Sequence, residues 1–185
     1  MKKNPLKTAF IFFFLTIPII SLAKENAKRK IEKSTYGSHS HDENQTIHKD
    51  SKSQHRMGIF HYNEGNRFLK KGVWKEAINN YNMALHHDKT LYQVYINLST
   101  AYLQGKKFLK AFQTLELLNA MQPENPMLHY NLACYHSLIG NTKSALKSLK
   151  QATQLGFKNK NQIKNDSDLN NLRKSANFLE WWDKF

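Results

Sequence analysis

Apolar and small residues recur in a fixed frame between positions 58 and 159. Ala77, Ala111 and Ala145 lie 34 residues apart, and so do Asn63, Asn97 and Asn131. Tyr81, Leu115 and Leu149 keep the interval, as do the small residues Gly65, Ser99 and Ala133. One period running through several columns is the signature of a repeat array. Within each period the apolar residues take helical spacing twice. In the first, Phe60, Phe68 and Leu69 precede a break at Gly72, and Ala77, Ile78, Tyr81, Ala84 and Leu85 then mark one face of a second helix. The second has Tyr95, Leu98, Tyr102 and Leu103, a turn at Gly105, then Ala111, Phe112, Leu115 and Leu118. The third has Leu128, Leu132, Tyr135 and Leu138, a turn at Gly140-Asn141, then Ala145, Leu146, Leu149 and Ala152. Asn125-Pro126 suits a helix start, with a capping side chain and a proline where no N–H is needed. The small columns let paired helices approach closely. Stacking the pairs buries the apolar face that a lone pair would leave wet.

The flanks read differently. Met1–Lys7 carries three lysines, Thr8–Ile20 is almost wholly apolar, and Ser21-Leu22-Ala23 offers small residues before a cut. This is the layout of a secretory signal peptide over residues 1–23, leaving Lys24 first in the mature chain. The apolar run is short of the roughly 20 residues a membrane span needs. No cysteine follows the cut, which excludes a lipoprotein anchor. The expectation is export without a membrane span after cleavage, to the periplasm first and the extracellular space as the alternative. Residues 24–56 hold only Ala27, Ile31, Tyr36 and Ile47 as scattered apolar groups. So little burial cannot offset ordering entropy, and the stretch is expected to be a disordered polar linker rich in His, Lys and Ser. His39, His41, His48 and His55 lack the Cys/His spacing of a structural metal site, so no metal is expected. Beyond Leu155-Gly156-Phe157, residues 160–185 are expected to fold as capping helices. Asp166–Arg173 and a segment capped by Ser175 would cover the end of the array, with Trp181 turned away from Trp182 and exposed.

Composition narrows the chemistry. The formal net charge is +14, or +11 once Lys2, Lys3 and Lys7 leave with the signal. Such an excess attracts anionic surfaces but is silent on fold. Residues 57–185 hold 17 basic and 9 acidic side chains, dispersed rather than striped, so nucleic acid is not the expected partner. Cys134 is the only cysteine. It can form no intramolecular disulfide, and it reads as a small packing residue. No Walker loop, nucleophile elbow, His-Glu-x-x-His or dinucleotide fingerprint occurs. His86-His87-Asp88 ends a helix, where neighbouring residues diverge by about 100° and the imidazoles cannot chelate together. No enzyme activity and no cofactor are expected.

The period, the helix-turn-helix pattern and these columns resemble the tetratricopeptide repeat family, over units 58–91, 92–125 and 126–159, and the chain is expected to be a bacterial, exported member. The second unit carries Leu98, Ala101-Tyr102, Ala111 and Pro123 at the family's signature positions. Departures are Glu64 where the other units have Leu98 and Leu132, His61 and His129 where the family often has Trp, and Lys89 for a unit-ending proline. The resemblance implies an all-α, right-handed α-solenoid of three helix pairs with C-terminal capping helices. It also implies a concave groove lined by first helices. In the 34-residue register that groove takes Ile59, Tyr62, Asn66 and Leu69, then Ile96, Thr100 and Leu103, then Met127, Tyr130 and Cys134. A largely apolar row with hydrogen-bonding points suits a peptide or helix laid in a groove. The family's clamp for a C-terminal carboxylate uses Lys, Asn, Asn, Lys and Arg where this chain has Tyr62, Asn66, Asn97, Met127 and Asn131. All three cations are missing, which argues against that ligand. The function implied is an exported protein–protein interaction scaffold whose partner is another protein. The alternative is a cationic binder of an anionic cell-envelope component, a polymer or lipid head group.

Overall fold

A computed structural model describes the backbone of residues 41–185 and the side chains of residues 50–185. The signal segment and residues 24–40 of the expected linker lie outside the described residues. Those described form helices and no strand. Helix α1 spans His41–Lys70, α2 Trp74–His87, α3 Tyr92–Gln104, α4 Phe108–Met121, α5 Pro126–Leu138 and α6 Thr142–Gln154. A short α7 (Lys160–Asn165), a 3-10 turn (Ser167–Leu169), α8 (Asn170–Arg173) and α9 (Ala176–Trp182) follow. Consecutive helices pack on one another from α1 through α6, so the chain is an all-α helical repeat solenoid of successive hairpins. No described helix is long and apolar enough to cross a membrane.

The columns occupy the seams. Ala77, Ala111 and Ala145 are fully buried, as are Tyr81, Leu115 and Leu149. Gly65 is required for contact rather than for backbone freedom: a Cβ there would sit 2.5 Å from the Tyr81 ring. The three hairpin turns close alike. Gly72, Lys106 and Gly140 occupy one column, and each donates its N–H three residues back, at 2.9–3.0 Å. The next N–H in each turn reaches back five residues, to Phe68, Tyr102 and His136. This is the Schellman-type closure that favours a left-handed residue. Gly72 and Gly140 supply it with φ of 72° and 81°, and Lys106 does so with φ of 53°.

The second turn therefore differs from expectation. Gly105 does not make the left-handed step; Lys106 does. Gly105 is held small by Trp74, whose ring would meet an added Cβ at 2.7 Å.

The linker is also corrected. Residues 41–56, expected to be disordered, continue α1 toward the N-terminus. His55 Nδ1 donates to Asp88 Oδ2 at 2.5 Å, and His87 Nδ1 to Gln54 Oε1 at 2.7 Å. These contacts tie the last part of the polar stretch to α2. Extending a helix that already exists needs no new nucleation, so low apolar content did not forbid it.

The far end is closed by the chain itself. Ile163, Leu169 and Leu172 are fully buried and Phe178 nearly so, in one cluster with Tyr130, Leu149 and Phe157. Leu172 N–H donates to Ser137 Oγ at 3.2 Å and Asn171 Nδ2 to Ser137 O at 2.9 Å. Trp181 is not free, contrary to expectation: it is half-buried and stacks on Phe185 at 4.7 Å.

The two residues of the second turn should respond oppositely. Gly105→Ala is expected to cost about 1–3 kcal/mol through overpacking against Trp74. Lys106→Gly relieves a left-handed backbone worth roughly 1 kcal/mol and should not destabilise. Urea unfolding of the two variants beside the parent checks this; equal losses would refute the assignment of the turn.

Candidate functional site: the groove row

The groove residues fall on the first helix of each pair: Ile59, Tyr62, Asn66 and Leu69 on α1, Ile96, Thr100 and Leu103 on α3, and Met127, Tyr130 and Cys134 on α5. These helices touch one another, α1 with α3 and α3 with α5. The register thus brings the row together, but not as one open surface. Ile59 is exposed, while Tyr62, Asn66, Leu69, Ile96, Thr100 and Met127 are half-buried. Leu103, Tyr130 and Cys134 are buried at 4%, 1% and 3% exposure. These three are corrected from ligand-lining to core positions.

Leu103 belongs to the shared apolar cluster. Tyr130 and Cys134 are covered by the C-terminal segment. Phe157 stacks on the Tyr130 ring at 4.3 Å. The Tyr130 hydroxyl donates to Asp166 Oδ2 at 2.6 Å, and the Cys134 thiol lies 3.9 Å from the same oxygen. Burial, then the neighbouring Cys134 and Asp166, push the Tyr130 hydroxyl far above its ordinary range, so it stays a donor. Burial and the Asp166 and Asp168 carboxylates likewise push the Cys134 thiol well up. A thiol held protonated is neither a nucleophile nor a ready metal ligand. Cys134, Asp166 and Asp168 present ligand atoms within 4.8 Å of one another. Asp166, however, is already engaged, accepting from Tyr130 through one oxygen and from Asp168 N–H through the other.

The open part of the row lies on α1 and α3, around four polar side chains. Tyr81 donates its hydroxyl to Asn66 Oδ1 at 2.8 Å. Asn97 Nδ2 donates to the same oxygen at 2.7 Å and reaches the Tyr62 hydroxyl at 3.4 Å. Burial, with the Tyr62 phenol beside it, pushes the Tyr81 hydroxyl well above its usual range and fixes it as a donor. Asn66 Oδ1 therefore has both lone pairs occupied. Its Nδ2 and the Asn97 Oδ1 have no protein partner among the described residues, and neither is buried. The pair presents one free amide donor group and one free acceptor on neighbouring helices. Its orientation is imposed from beneath by Tyr81, a residue the periodicity assigns to the core alone.

Asn131 shares the column of Asn97 but not its situation. It is buried, and its Nδ2 is shared among Ile96 O, Ser99 Oγ and Thr100 Oγ1 at 3.0–3.1 Å. It joins α5 to α3 through this one amide group. His129, where the family often has Trp, is buried and donates from Nε2 to Pro123 O at 2.6 Å. His86-His87-Asp88 does not converge on one point: His87 faces Gln54 and stacks on His61 at 5.4 Å, while Asp88 holds His55 and Thr90.

The covered end carries a titration. Burial, then the adjacent Asp166, pushes the Asp168 carboxyl up to about 6. An ordinary Asp in the unfolded chain titrates near 3.9. Between these values the folded state holds a proton the unfolded chain has released, so stability falls as pH rises through that window. Asp168→Asn should add on the order of 1 kcal/mol near neutral pH, a figure discounted for partial solvent screening. Below about pH 4 it should add nothing. Thermal unfolding of parent and variant across this range checks it; a gain that persists at low pH would exclude titration as the cause.

No family model matches the chain. Over 80 residues it is 31% identical to a chloroplastic protein of Arabidopsis thaliana, a stretch that covers 42% of this chain and 24% of that protein. Among solved structures it resembles the Arabidopsis OM64 TPR domain (TM-score 0.58, 21% identity), covering 65% of this chain and 98% of that one. The first TPR of Spaghetti (RPAP3), bound to the HSP90 peptide SRMEEVD, aligns at TM-score 0.55 and 21% identity over 68% of this chain and 95% of its own. The first TPR domain of human RPAP3 aligns at 0.55 and 22%, over 69% and 96%. These likenesses establish that the fold is that of a tetratricopeptide domain.

Proposed function

We propose that this chain is an exported, non-enzymatic adaptor of the bacterial envelope that holds an extended segment of another protein across α1 and α3. Export rests on the leader pattern of residues 1–23. Tetratricopeptide structures support a protein-binding role, since one of them holds a peptide. The observation that carries the reading is the Asn66–Asn97 pair, with its free donor and free acceptor. An extended backbone offers one C=O and one N–H per residue, which is the complement of such a pair. Ile59, Leu69, Ile96 and Met127 supply apolar contact around it. The bound segment is internal rather than C-terminal in this reading. The row offers no cation to neutralise a carboxylate, whereas the peptide held by the similar domain ends in Asp. Cationic attachment to an anionic envelope component is the competing reading, and ionic strength separates the two.

Peptides selected from a random library on the mature chain, residues 24–185, test this. Binding should survive amidation of the peptide C-terminus and a rise from low to high salt. It should weaken about tenfold, one or two hydrogen bonds' worth, in Asn66→Ala or Asn97→Ala. Binding that collapses in salt and ignores both substitutions would establish the cationic reading instead.

A further inference from the structure

The two ends of the array are finished differently. At the C-terminal end, dedicated residues cover the last hairpin. At the N-terminal end, the 34-residue columns expose an anomaly. Val94 and Leu128 are fully buried, because each faces the hairpin before it. Phe60 occupies the same column in the first hairpin and is 57% exposed. Met57, in register with buried Leu91, is 42% exposed. Glu64, in register with buried Leu98, makes an ion pair with Arg67 at 2.6 Å. The face that would receive a preceding hairpin is thus charged at its edges and still aromatic at its centre.

We propose that a second copy of this chain covers this face, the two α1 helices crossing antiparallel about a two-fold axis at Phe60. In such an isologous contact each residue a given number of places before Phe60 meets the partner residue the same number after it. Arg56 and Glu64 are each four places from Phe60, so Arg56 meets Glu64 of the second copy twice over. At about 100° per residue, Arg56, Met57, Phe60 and Glu64 share one face of α1. Ile59 lies about 100° away, so the groove row stays open. The chain's own residues 24–40 are a poorer occupant. They carry five basic and two acidic residues, and they would meet a surface already holding Arg56, Arg67 and Lys70.

Sedimentation equilibrium of the mature chain, residues 24–185, should return twice its monomer mass. Phe60→Glu should give a folded monomer, its helicity unchanged because the site is solvent-facing. Glu64→Arg should weaken association about tenfold or more, and Arg56→Glu added to it should restore the dimer. Cys134 is buried, so an oxidised Phe60→Cys chain should crosslink through the new thiol alone, in pairs. A wild-type monomer at all concentrations, as when residues 24–40 or another protein cover the face, overturns the proposal. So does a dimer indifferent to Phe60→Glu, or one that the double charge exchange fails to restore.

Discussion

Everything in this molecule depends on how closely two helices of a hairpin can approach. The seam is filled by complementary volumes in two columns. Where the first column has glycine, at Gly65, the second has its largest member, Tyr81. Where the first has Ser99 or Ala133, the second has Leu115 or Leu149. All of the large partners are fully buried. Interiors are packed to crystal-like density, so a volume added on one side must be removed on the other. The exchange in the first hairpin also has a chemical result. Tyrosine is long enough to carry a hydroxyl past the seam to Asn66. A leucine there would be smaller than the space Gly65 leaves and would remove one of the two donors to Asn66 Oδ1.

The same packing logic shortens the groove. A solenoid must cover its last hairpin, and this chain does so with Phe157 and the turn that bears Asp166 rather than with a separate outer layer. The cover lands on Tyr130 and Cys134, which the register places in the groove row. Asp166 accepts from the Tyr130 hydroxyl and from the Asp168 amide, and Arg173 donates to Asp166 O at 2.5 Å. The segment is thereby held in one position against α5. Its cost is visible in Asp168, a carboxyl pushed up by burial beside a second carboxyl. Of the three row positions on α5, only Met127 is left partly open.

Much of this was legible in the sequence, because a period is a statement about space. Ala77, Ala111 and Ala145 read as one column and lie in one seam. The capping roles of Asn125 and Ser175 follow from short polar side chains ahead of helical runs, and both accept the expected amides. What stayed hidden was what period cannot encode. Asn97 and Asn131 are identical in register, yet Asn97 is half-buried and donates to Asn66 on α1, whereas Asn131 is buried and donates to Ile96, Ser99 and Thr100. Lys106 makes a left-handed turn beside a glycine that looks better suited, because Gly105 answers to Trp74, distant in sequence. The helical course of residues 41–56 escaped because composition reports what a segment can bury alone, not what a neighbouring helix can propagate into it.

Charge and selectivity are then separate properties of the molecule. Residues 57–185 carry an excess of eight positive charges. None of it resides in the groove row, whose members are apolar or neutral hydrogen-bonding groups. A dispersed positive field raises the encounter rate with acidic partners and weakens with salt, but it reads no sequence. Two amides locked by a buried tyrosine do the reverse: they attract nothing at long range, yet demand one donor and one acceptor in place. A buried, unsatisfied amide on a mismatched ligand costs more than a matched one gains. In the binding mode proposed above, recognition would rest on backbone geometry, and the surrounding lysines would set how often a ligand arrives rather than which ligand stays.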